Sequence, residues 1–210
     1  MRKYGIALLV ALAGALSPAS AGVLYTNLGP GDAYDSGQGW TISNGNPLGG
    51  YSAIAFQFSP TASGQGNLIR LAVGFITPAD AIIGVTLYED SSGSLGSQLA
   101  NAQADVTVTF GSCCDLLLVP IPAVTLSAGT LYWLAVEPVS ADIWAAWNLN
   151  STGAQGPLLA DNGAGFNNPG TNTLGAFEIV ANAVPEPGTW LLFAGGIAAF
   201  AVRRRRLHRN

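Results

Sequence analysis

Large apolar residues alternate with small or polar residues in several short stretches of the chain. Within Ala53–Phe58, the side chains of Ile54, Phe56 and Phe58 fall on one face of an extended strand, and the intervening residues fall on the other. Asp105–Phe110 repeats the alternation. A period of two with one apolar face predicts a sheet that packs on one side and faces water on the other.

Residues 22–183 show no helical periodicity of useful length. Runs rich in β-branched and aromatic residues are separated there by clusters of Gly, Asn, Ser and Pro, which favour turns. The sequence therefore predicts an all-β fold, an antiparallel β-sandwich or jelly roll. The candidate strands are Val23–Asn27, Ser52–Ser59, Asn67–Ile76, Ile83–Glu89, Asp105–Phe110, Leu116–Pro120, Leu131–Pro138, Ile143–Leu149 and Ala176–Ala181. The candidate turns are Gly29–Gly31, Asn44–Pro47, Asp90–Gly93 and Asn167–Gly170.

One long segment, Asn150–Thr173, is dominated by Gly, Asn, Pro and Ala and is predicted to be irregular. A loop of this length in a compact domain is either functional or poorly ordered. Within it, Pro157–Ala160 is the place where a short strand is expected.

The first 21 residues are organised as a secretory signal peptide. Two basic residues come first, residues 6–16 are apolar, and Ala19 and Ala21 form the small-x-small pattern that precedes a cleavage site. We expect signal peptidase to cleave after Ala21, so that the ectodomain comprises residues 22–183.

Charge is distributed unevenly along the chain. Residues 22–183 keep one basic residue, Arg70, and eleven of the twelve acidic residues, which gives −10 against −4 for the whole chain. Nucleic-acid binding depends on lysines and arginines that neutralise phosphates, so it is excluded as a function. Neither Asp90–Gly93 nor Asp161–Gly163 has the spacing of a calcium-binding loop, so no metal site is predicted.

Two common catalytic residue types, histidine and lysine, are missing from the ectodomain. The only histidine is His208 and the only lysine is Lys3, which excludes a Ser-His-Asp triad, a His-containing zinc site and a Schiff-base lysine between residues 22 and 183. Two carboxylates can hydrolyse a glycoside, but the candidates lack a distinguishing pattern. These are Asp35, Glu89, Asp90, Asp105, Glu137 and Asp142. We therefore expect no catalytic residues and no cofactor.

Four tryptophans of the ectodomain offer aromatic faces that can stack on sugars. Trp144 and Trp147 are three positions apart on one predicted strand, so their side chains point in opposite directions. We expect one to pack in the core and the other to face outward, which makes Trp144, Trp147 and Asn148 the candidates for glycan contact. The alternative is that the large aromatic residues all fill the core. The other two tryptophans are Trp40 and Trp133.

The two cysteines of the chain, Cys113 and Cys114, are adjacent. Consecutive Cα atoms lie only about 3.8 Å apart, so the pair cannot join distant segments. A disulfide within the pair, two free thiols and bonds between chains all remain open. The favoured interpretation is that the cysteines serve as two small residues in a turn before Leu116–Val119.

The last segment, residues 184–210, has three consecutive parts. Its prolines prevent a helix or strand and leave an extended stretch that a processing enzyme can grip. Residues 189–202 are apolar and would span about 21 Å as a helix, against about 30 Å for a hydrocarbon core. Four arginines follow and resist translocation, so we predict a short transmembrane helix with a cytoplasmic membrane stop. The membrane-stop residues are Arg203, Arg204, Arg205 and Arg206.

The three parts of this tail resemble the PEP-CTERM sorting tail of Gram-negative bacteria. The sorting motif is formed by Val184, Pro185, Glu186 and Pro187. The resemblance implies a precursor anchored in the inner membrane and processed near the Pro-Glu-Pro motif by an exosortase-type enzyme. It also implies a final location at the cell surface or in the extracellular matrix, in association with exopolysaccharide and biofilm.

The ectodomain is similar in short stretches to bacterial choice-of-anchor domains, which are secreted β-rich modules with interchangeable anchors. This resemblance brings no catalytic residues with it. We expect a structural or adhesive surface protein; the alternative is a carbohydrate-binding module or, less favoured, a glycosidase. The stretches are Tyr34–Ser36 with Gly39–Trp40, Leu87–Asp90, Ala128–Leu134 and Ala176–Ile179.

Overall fold

Three antiparallel sheets form the part of the chain that the computed structural model describes, which comprises residues 22–45, 50–77 and 81–181. The predicted signal peptide and the predicted sorting tail (residues 184–210) lie outside these residues, as does the end of the predicted Asn44–Pro47 turn. Among the described residues, no helix is long and apolar enough to cross a membrane. The predicted all-β, antiparallel fold is confirmed.

Short strands follow one another through tight turns, since Gly, Asn and Asp recur between the apolar runs. In chain order the strands are β1 (Gly22–Thr26), β2 (Tyr34–Asn44), β3 (Ala53–Phe58), β4 (Gly64–Leu71), β5 (Val73–Thr77), β6 (Ala81–Asp90), β7 (Leu95–Val106), β8 (Leu117–Leu126), β9 (Tyr132–Pro138), β10 (Ile143–Asn150), β11 (Gln155–Asp161), β12 (Asn167–Thr173) and β13 (Phe177–Ala181).

The largest sheet has six strands in the order β12-β11-β3-β9-β6-β7, and the smaller sheets have the orders β1-β13-β4-β8 and β2-β10-β5. The predicted strand Asn67–Ile76 is divided between β4 and β5, which are interrupted only at Ala72. There the two smaller sheets meet, because the amide of Asn148 donates to the Ala72 carbonyl at 2.8 Å and the amide of Ala72 donates to the Ala176 carbonyl at 3.1 Å.

One hydrophobic core lies between the six-stranded sheet and the two smaller sheets. Phe56 and Leu134 enter it from the large sheet, and Ile69, Trp147 and Phe177 enter it from the smaller ones. The rings of Phe56 and Trp147 meet edge to face with centroids 4.9 Å apart, and those of Trp147 and Phe177 lie 5.8 Å apart. Two layers around one core make this a β-sandwich.

Buried asparagines hold the seam between the two smaller sheets. Asn27 donates through Nδ2 to the Gly175 carbonyl at 2.8 Å and accepts through Oδ1 from the Phe177 amide at 2.8 Å. Asn148 donates through Nδ2 to the Ala72 carbonyl at 3.0 Å. These side chains pair with backbone groups at the places where strands change partners, as buried backbone groups require.

The sequence pattern found strands with large apolar residues and missed those built from polar and small ones. β2 is rich in Gly, Ser and Gln, and β7 in Ala, Asn and Gln, so neither alternates clearly. Gly39 of β2 lies so close to β10 that an added Cβ would be 2.9 Å from the carbonyl oxygen of Trp147. The predicted strand Asp105–Phe110 is wrong beyond Val106, where β7 ends.

The segment predicted to be irregular, Asn150–Thr173, contains the paired strands β11 and β12. The predicted turn Asn167–Gly170 is wrong, because these residues belong to β12. Oδ1 of Asp161 makes the turn between the two strands by accepting from the amides of Gly163 at 2.7 Å and Gly165 at 2.8 Å. A turn made by one side chain leaves no periodic signal in the sequence.

Cys113 and Cys114 are joined by a disulfide across a cis peptide bond. Of the alternatives that the sequence leaves open, the structure has the bond within the pair, which corrects the favoured interpretation of two small turn residues. The hydroxyl of Tyr34 donates to the carbonyls of Ser112 at 2.6 Å and Asp115 at 3.0 Å. Tyr34 therefore holds the loop on both sides of the disulfide.

Arg70 of β4 is the one basic residue in the described part of the chain, and it is paired. Its Nη1 donates to Oε1 of Glu178 on β13 at 2.5 Å, and its Nη2 donates to Asp32. Both partners are carboxylates, so the positive charge of Arg70 is locally compensated.

Candidate functional site

The outer face of the six-stranded sheet, which points away from the core, carries the candidate site. Residues directly opposite each other on antiparallel neighbours share a face, so the register aligns two rows across this surface. One row consists of the pair Asp161 and Ala53 on β11 and β3 and of Glu137, Gly84 and Gln103 on β9, β6 and β7; Ala53 and Glu137 lie next to the paired residues Ile54 and Val136. The next row consists of Leu159, Ala55, Ala135, Thr86 and Asn101.

Part of this outer face is covered by a small hydrophobic cluster of its own. Trp133, Ala135 and Leu159 are buried although they point away from the core, since Leu95 and Phe166 pack against them. Both covering side chains come from the ends of strands or from the connections between them. The prediction that this face of the sheet is exposed to solvent is therefore wrong for its central part.

Asp90 fixes the tryptophan of this cluster. Its Oδ1 accepts from Nε1 of Trp133 at 2.8 Å, from Nε2 of Gln57 at 2.7 Å and from the Gly93 amide at 3.1 Å. The carboxylate thus forms the predicted Asp90–Gly93 turn and anchors two strands at the same time. Its hydrogen-bonding capacity is used within the fold.

A groove with a volume of about 330 Å³ lies along β6 on the same outer face. Gly84 and Thr86 of β6 are central, and longer side chains stand on both sides. A Cβ built on Gly84 would lie 3.5 Å from Cγ2 of Val139, so the space above β6 exists because no side chain fills it. We call this the outer-face groove; it is lined by Gly84, Thr86, Asn101, Gln103, Glu137 and Val139, with Ala102 and Pro138 beside them.

Glu137 also belongs to a tyrosine–carboxylate cluster, which comprises Tyr51, Tyr88, Glu137 and Asp161. Burial raises the pKa of the Glu137 carboxyl group and the charge of Asp161 raises it further, whereas a hydrogen bond with Tyr51 lowers it. Burial, followed by the charges of Glu137 and Asp161, raises the pKa of Tyr51 to about 12. Tyr51 is therefore a neutral phenol that donates to Glu137 at physiological pH.

The groove offers hydrogen-bond donors and hydrogen-bond acceptors, but no positively charged side chain of the described residues lines it. Asn101 and Gln103 supply amides, Thr86 supplies a hydroxyl and Glu137 supplies a carboxylate. In the described ranges, no group of three or more His, Cys, Asp or Glu side chains is arranged to hold a metal ion. This chemistry suits an uncharged polar ligand.

The three residues predicted to contact glycans lie on β10, in a different sheet from the groove. Trp147 and Asn148 are 0% and 1% exposed, and Nε1 of Trp147 donates to the Ala176 carbonyl at 3.0 Å. Trp144 is partly exposed and lies between Ser43 of β2 and Thr77 of β5. Trp147 and Asn148 are thus inaccessible to a ligand at the surface of the folded domain, because Trp147 fills the core and Asn148 is buried at the seam between the two smaller sheets.

Sequence reasoning reached Glu137 as one of several carboxylates and missed the rest of the groove. Gly84 interrupts an otherwise apolar strand and was the one local signal. Asn101 and Gln103 lie on β7, whose small and polar residues predict no strand. Only the pairing of β6 with both β7 and β9 brings these side chains together.

Residues 183–206 match the family of the PEP-CTERM protein-sorting motif. The match confirms the predicted PEP-CTERM sorting motif, and the matched residues include Val184–Pro187 and Arg203–Arg206. The motif indicates an exported, membrane-anchored precursor that is sorted to the cell surface by an exosortase system. No curated protein matches the chain. The resemblance of the ectodomain to choice-of-anchor domains stays a prediction.

Proposed function

We propose that this chain is an exported surface or extracellular-matrix protein with a structural or adhesive role, associated with exopolysaccharide or biofilm. The observation that carries the proposal is the PEP-CTERM motif at residues 183–206. The β-sandwich of the described residues and the sequence of residues 22–183, which contains no histidine or lysine and has a net charge of −10, support it. A net charge far from zero keeps a protein soluble, because the molecules repel one another.

Export and sorting follow from the two ends of the chain. Signal peptidase removes residues 1–21, with Ala19 and Ala21 forming the cleavage site. Residues 189–202 then span the inner membrane of a Gram-negative host while Arg203–Arg206 stay in the cytoplasm. The exosortase-type enzyme cleaves near Pro185–Pro187 and releases the ectodomain to the surface or matrix.

Mass spectrometry of the mature protein tests this proposal directly. In cells that contain the processing enzyme, we expect an N-terminus at Gly22 and a C-terminus near Pro187. In cells that lack the enzyme, residues 188–210 should stay attached and the protein should stay in the membrane fraction. Recovery of an intact tail on surface protein from normal cells would contradict the cleavage step.

The second candidate function is a carbohydrate-binding module displayed at the cell surface. The observation that favours it is the outer-face groove, which combines amide, hydroxyl and carboxylate groups around an unfilled space. A glycan array with the processed protein tests this candidate: saturable binding supports it, and an array without binding contradicts it.

A glycosidase is the less favoured form of this candidate. Glu137 and Asp161 lie on the same outer face, on strands separated by β3, so their backbones are roughly 10 Å apart. A pair of carboxylates is the minimum for glycoside hydrolysis. We expect no release of reducing sugar from any polymer that binds, and release that is lost in Glu137→Gln would establish the enzyme instead.

A further inference from the structure

We propose that the outer-face groove binds an uncharged sugar unit of a polysaccharide and that Glu137 selects against acidic sugars. The inference rests on the second candidate function above, and it adds the place of binding and the chemical class of the ligand. It is independent of the sorting signal, because every residue that lines the groove lies between Gly84 and Val139 of the ectodomain.

The shape of the groove sets the size of the ligand. Ligand sites in proteins commonly enclose about 300–1,000 Å³, and the groove lies at the small end with about 330 Å³. This space suits one or two sugar units of a chain. Val139 is 42% exposed at the wall and Gly84 lacks a side chain at the centre, so an apolar sugar face finds surface without steric conflict.

The amides of the β7 wall are available to a ligand. Asn101 and Gln103 are exposed, and their side chains make no hydrogen bond to any other residue in the described ranges. An amide group both donates and accepts, as a sugar hydroxyl does. Thr86 lies at the centre of the same space, where its side chain is hydrogen-bonded to Tyr88. Glu137 provides a carboxyl group on the opposite side, and Tyr51 holds that group in place.

Charge decides between neutral and acidic sugars. Arg70 is the only basic residue of the described chain, and it lies on β4 in another sheet, where Asp32 and Glu178 compensate it. An acidic sugar in the groove would therefore place its carboxylate near Glu137 with no cation beside it. Like charges brought together in this way oppose binding.

The test measures binding of the processed protein, purified from producing cells, by affinity electrophoresis. The gels contain a neutral glucan, a neutral galactomannan or alginate. We expect retardation by at least one neutral polymer and little by alginate. Gly84→Leu fills the groove and Asn101→Ala with Gln103→Ala removes the amides, so each should weaken neutral binding about tenfold or more. Glu137→Gln removes the negative charge from the groove, so it should raise retardation by alginate relative to retardation by the neutral polymer.

Two matched controls show whether a loss is specific to the groove. Gly50→Leu is the control for Gly84→Leu, because it adds the same side chain where no atom lies within 4 Å of the new Cβ. Thr125→Ala is the control for the loss of the amides, because it removes a polar group from an exposed position of β8. Both should bind as the unmodified protein does, and thermal unfolding of every variant checks the fold.

Three results would overturn the inference. Neutral binding that survives both groove variants would place the ligand elsewhere and leave the carbohydrate-binding function standing. Retardation by alginate alone would show the opposite charge preference. Binding to none of the polysaccharides would remove both the groove proposal and the second candidate function, while the sorting proposal would be unaffected.

Discussion

Glu137 has neighbours that act on its carboxyl group in opposite directions. Burial and the charge of Asp161 favour the protonated form, and the hydrogen bond with Tyr51 favours the ionised form. The first two effects prevail, because the pKa of Glu137 is raised. A carboxyl group whose pKa is higher in the folded chain than in the unfolded one ties stability to pH.

The sign of this dependence leads to a prediction at Glu137. The folded protein binds the proton more tightly, so the contribution to stability is fully present below the unfolded pKa of about 4.3 and is lost as pH rises through the raised folded value. The Glu137→Gln variant has no carboxyl group to titrate at this position, so its stability does not change with pH for this reason. We therefore expect the free energy of unfolding of the unmodified protein to fall relative to Glu137→Gln above about pH 4.

Urea unfolding of both proteins between pH 4 and pH 8 measures the difference. Glu89→Gln, at an exposed position of β6, is the matched control for the chemical change alone. If the free energies of unfolding of Glu137→Gln and of the unmodified protein change with pH in parallel, the pKa of Glu137 is the same in the folded and the unfolded protein, which would contradict the prediction.

At the scale of elements, the paired strands β11 and β12 show how a segment without a periodic pattern becomes ordered. Asn150 closes the connection from β10 by donating through Nδ2 to the carbonyls of Ala154 at 2.9 Å and Leu174 at 2.7 Å. Its Oδ1 accepts from the Ala154 amide at 2.8 Å and from the Thr152 hydroxyl at 2.9 Å. One buried side chain thereby ties both ends of the β11–β12 unit to the sandwich.

Asn150→Ala should destabilise the domain and loosen this unit first. The substitution leaves the Ala154 amide without its acceptor and removes one of the donors to each of the Ala154 and Leu174 carbonyls, which costs about 1–3 kcal/mol. Hydrogen exchange should show faster exchange of the β11 and β12 amides than of those in β9. Asn162→Ala, at an exposed turn position, should change neither stability nor exchange. Equal exchange in β11 and β9 after Asn150→Ala would show that Asn150 does not hold the unit.

At the scale of the whole molecule, we expect sorting and folding to depend on different parts of the chain. The sandwich ends with β13 at Ala181, and the sorting motif begins at Val184. Replacing Pro185, Glu186 and Pro187 by alanines should therefore block processing while thermal stability of the ectodomain changes by no more than about 0.5 kcal/mol. Substituting Arg203–Arg206 by neutral residues should instead disturb membrane orientation.

Immunoblots of membrane and surface fractions, together with thermal unfolding, separate these effects. A triple-alanine variant that is processed normally would show that the enzyme reads another segment. A variant that fails to fold would show that the motif contributes to the sandwich.

The sequence by itself determined the all-β class, the strands with large alternating apolar residues, the opposite directions of Trp144 and Trp147, and the sorting motif. Each of these follows from residues that are adjacent or separated by a fixed short period, because a strand repeats every two residues and a sorting tail is read linearly.

Only the tertiary structure decided which tryptophan fills the core, how Asn150–Thr173 is ordered and where the groove lies. Trp147 is buried because Phe56 and Phe177, distant in sequence, pack against it. Glu137, Gly84 and Gln103 become neighbours through strand pairing between β9, β6 and β7. Register between strands depends on contacts over the whole core, and short-range periodicity carries no record of them.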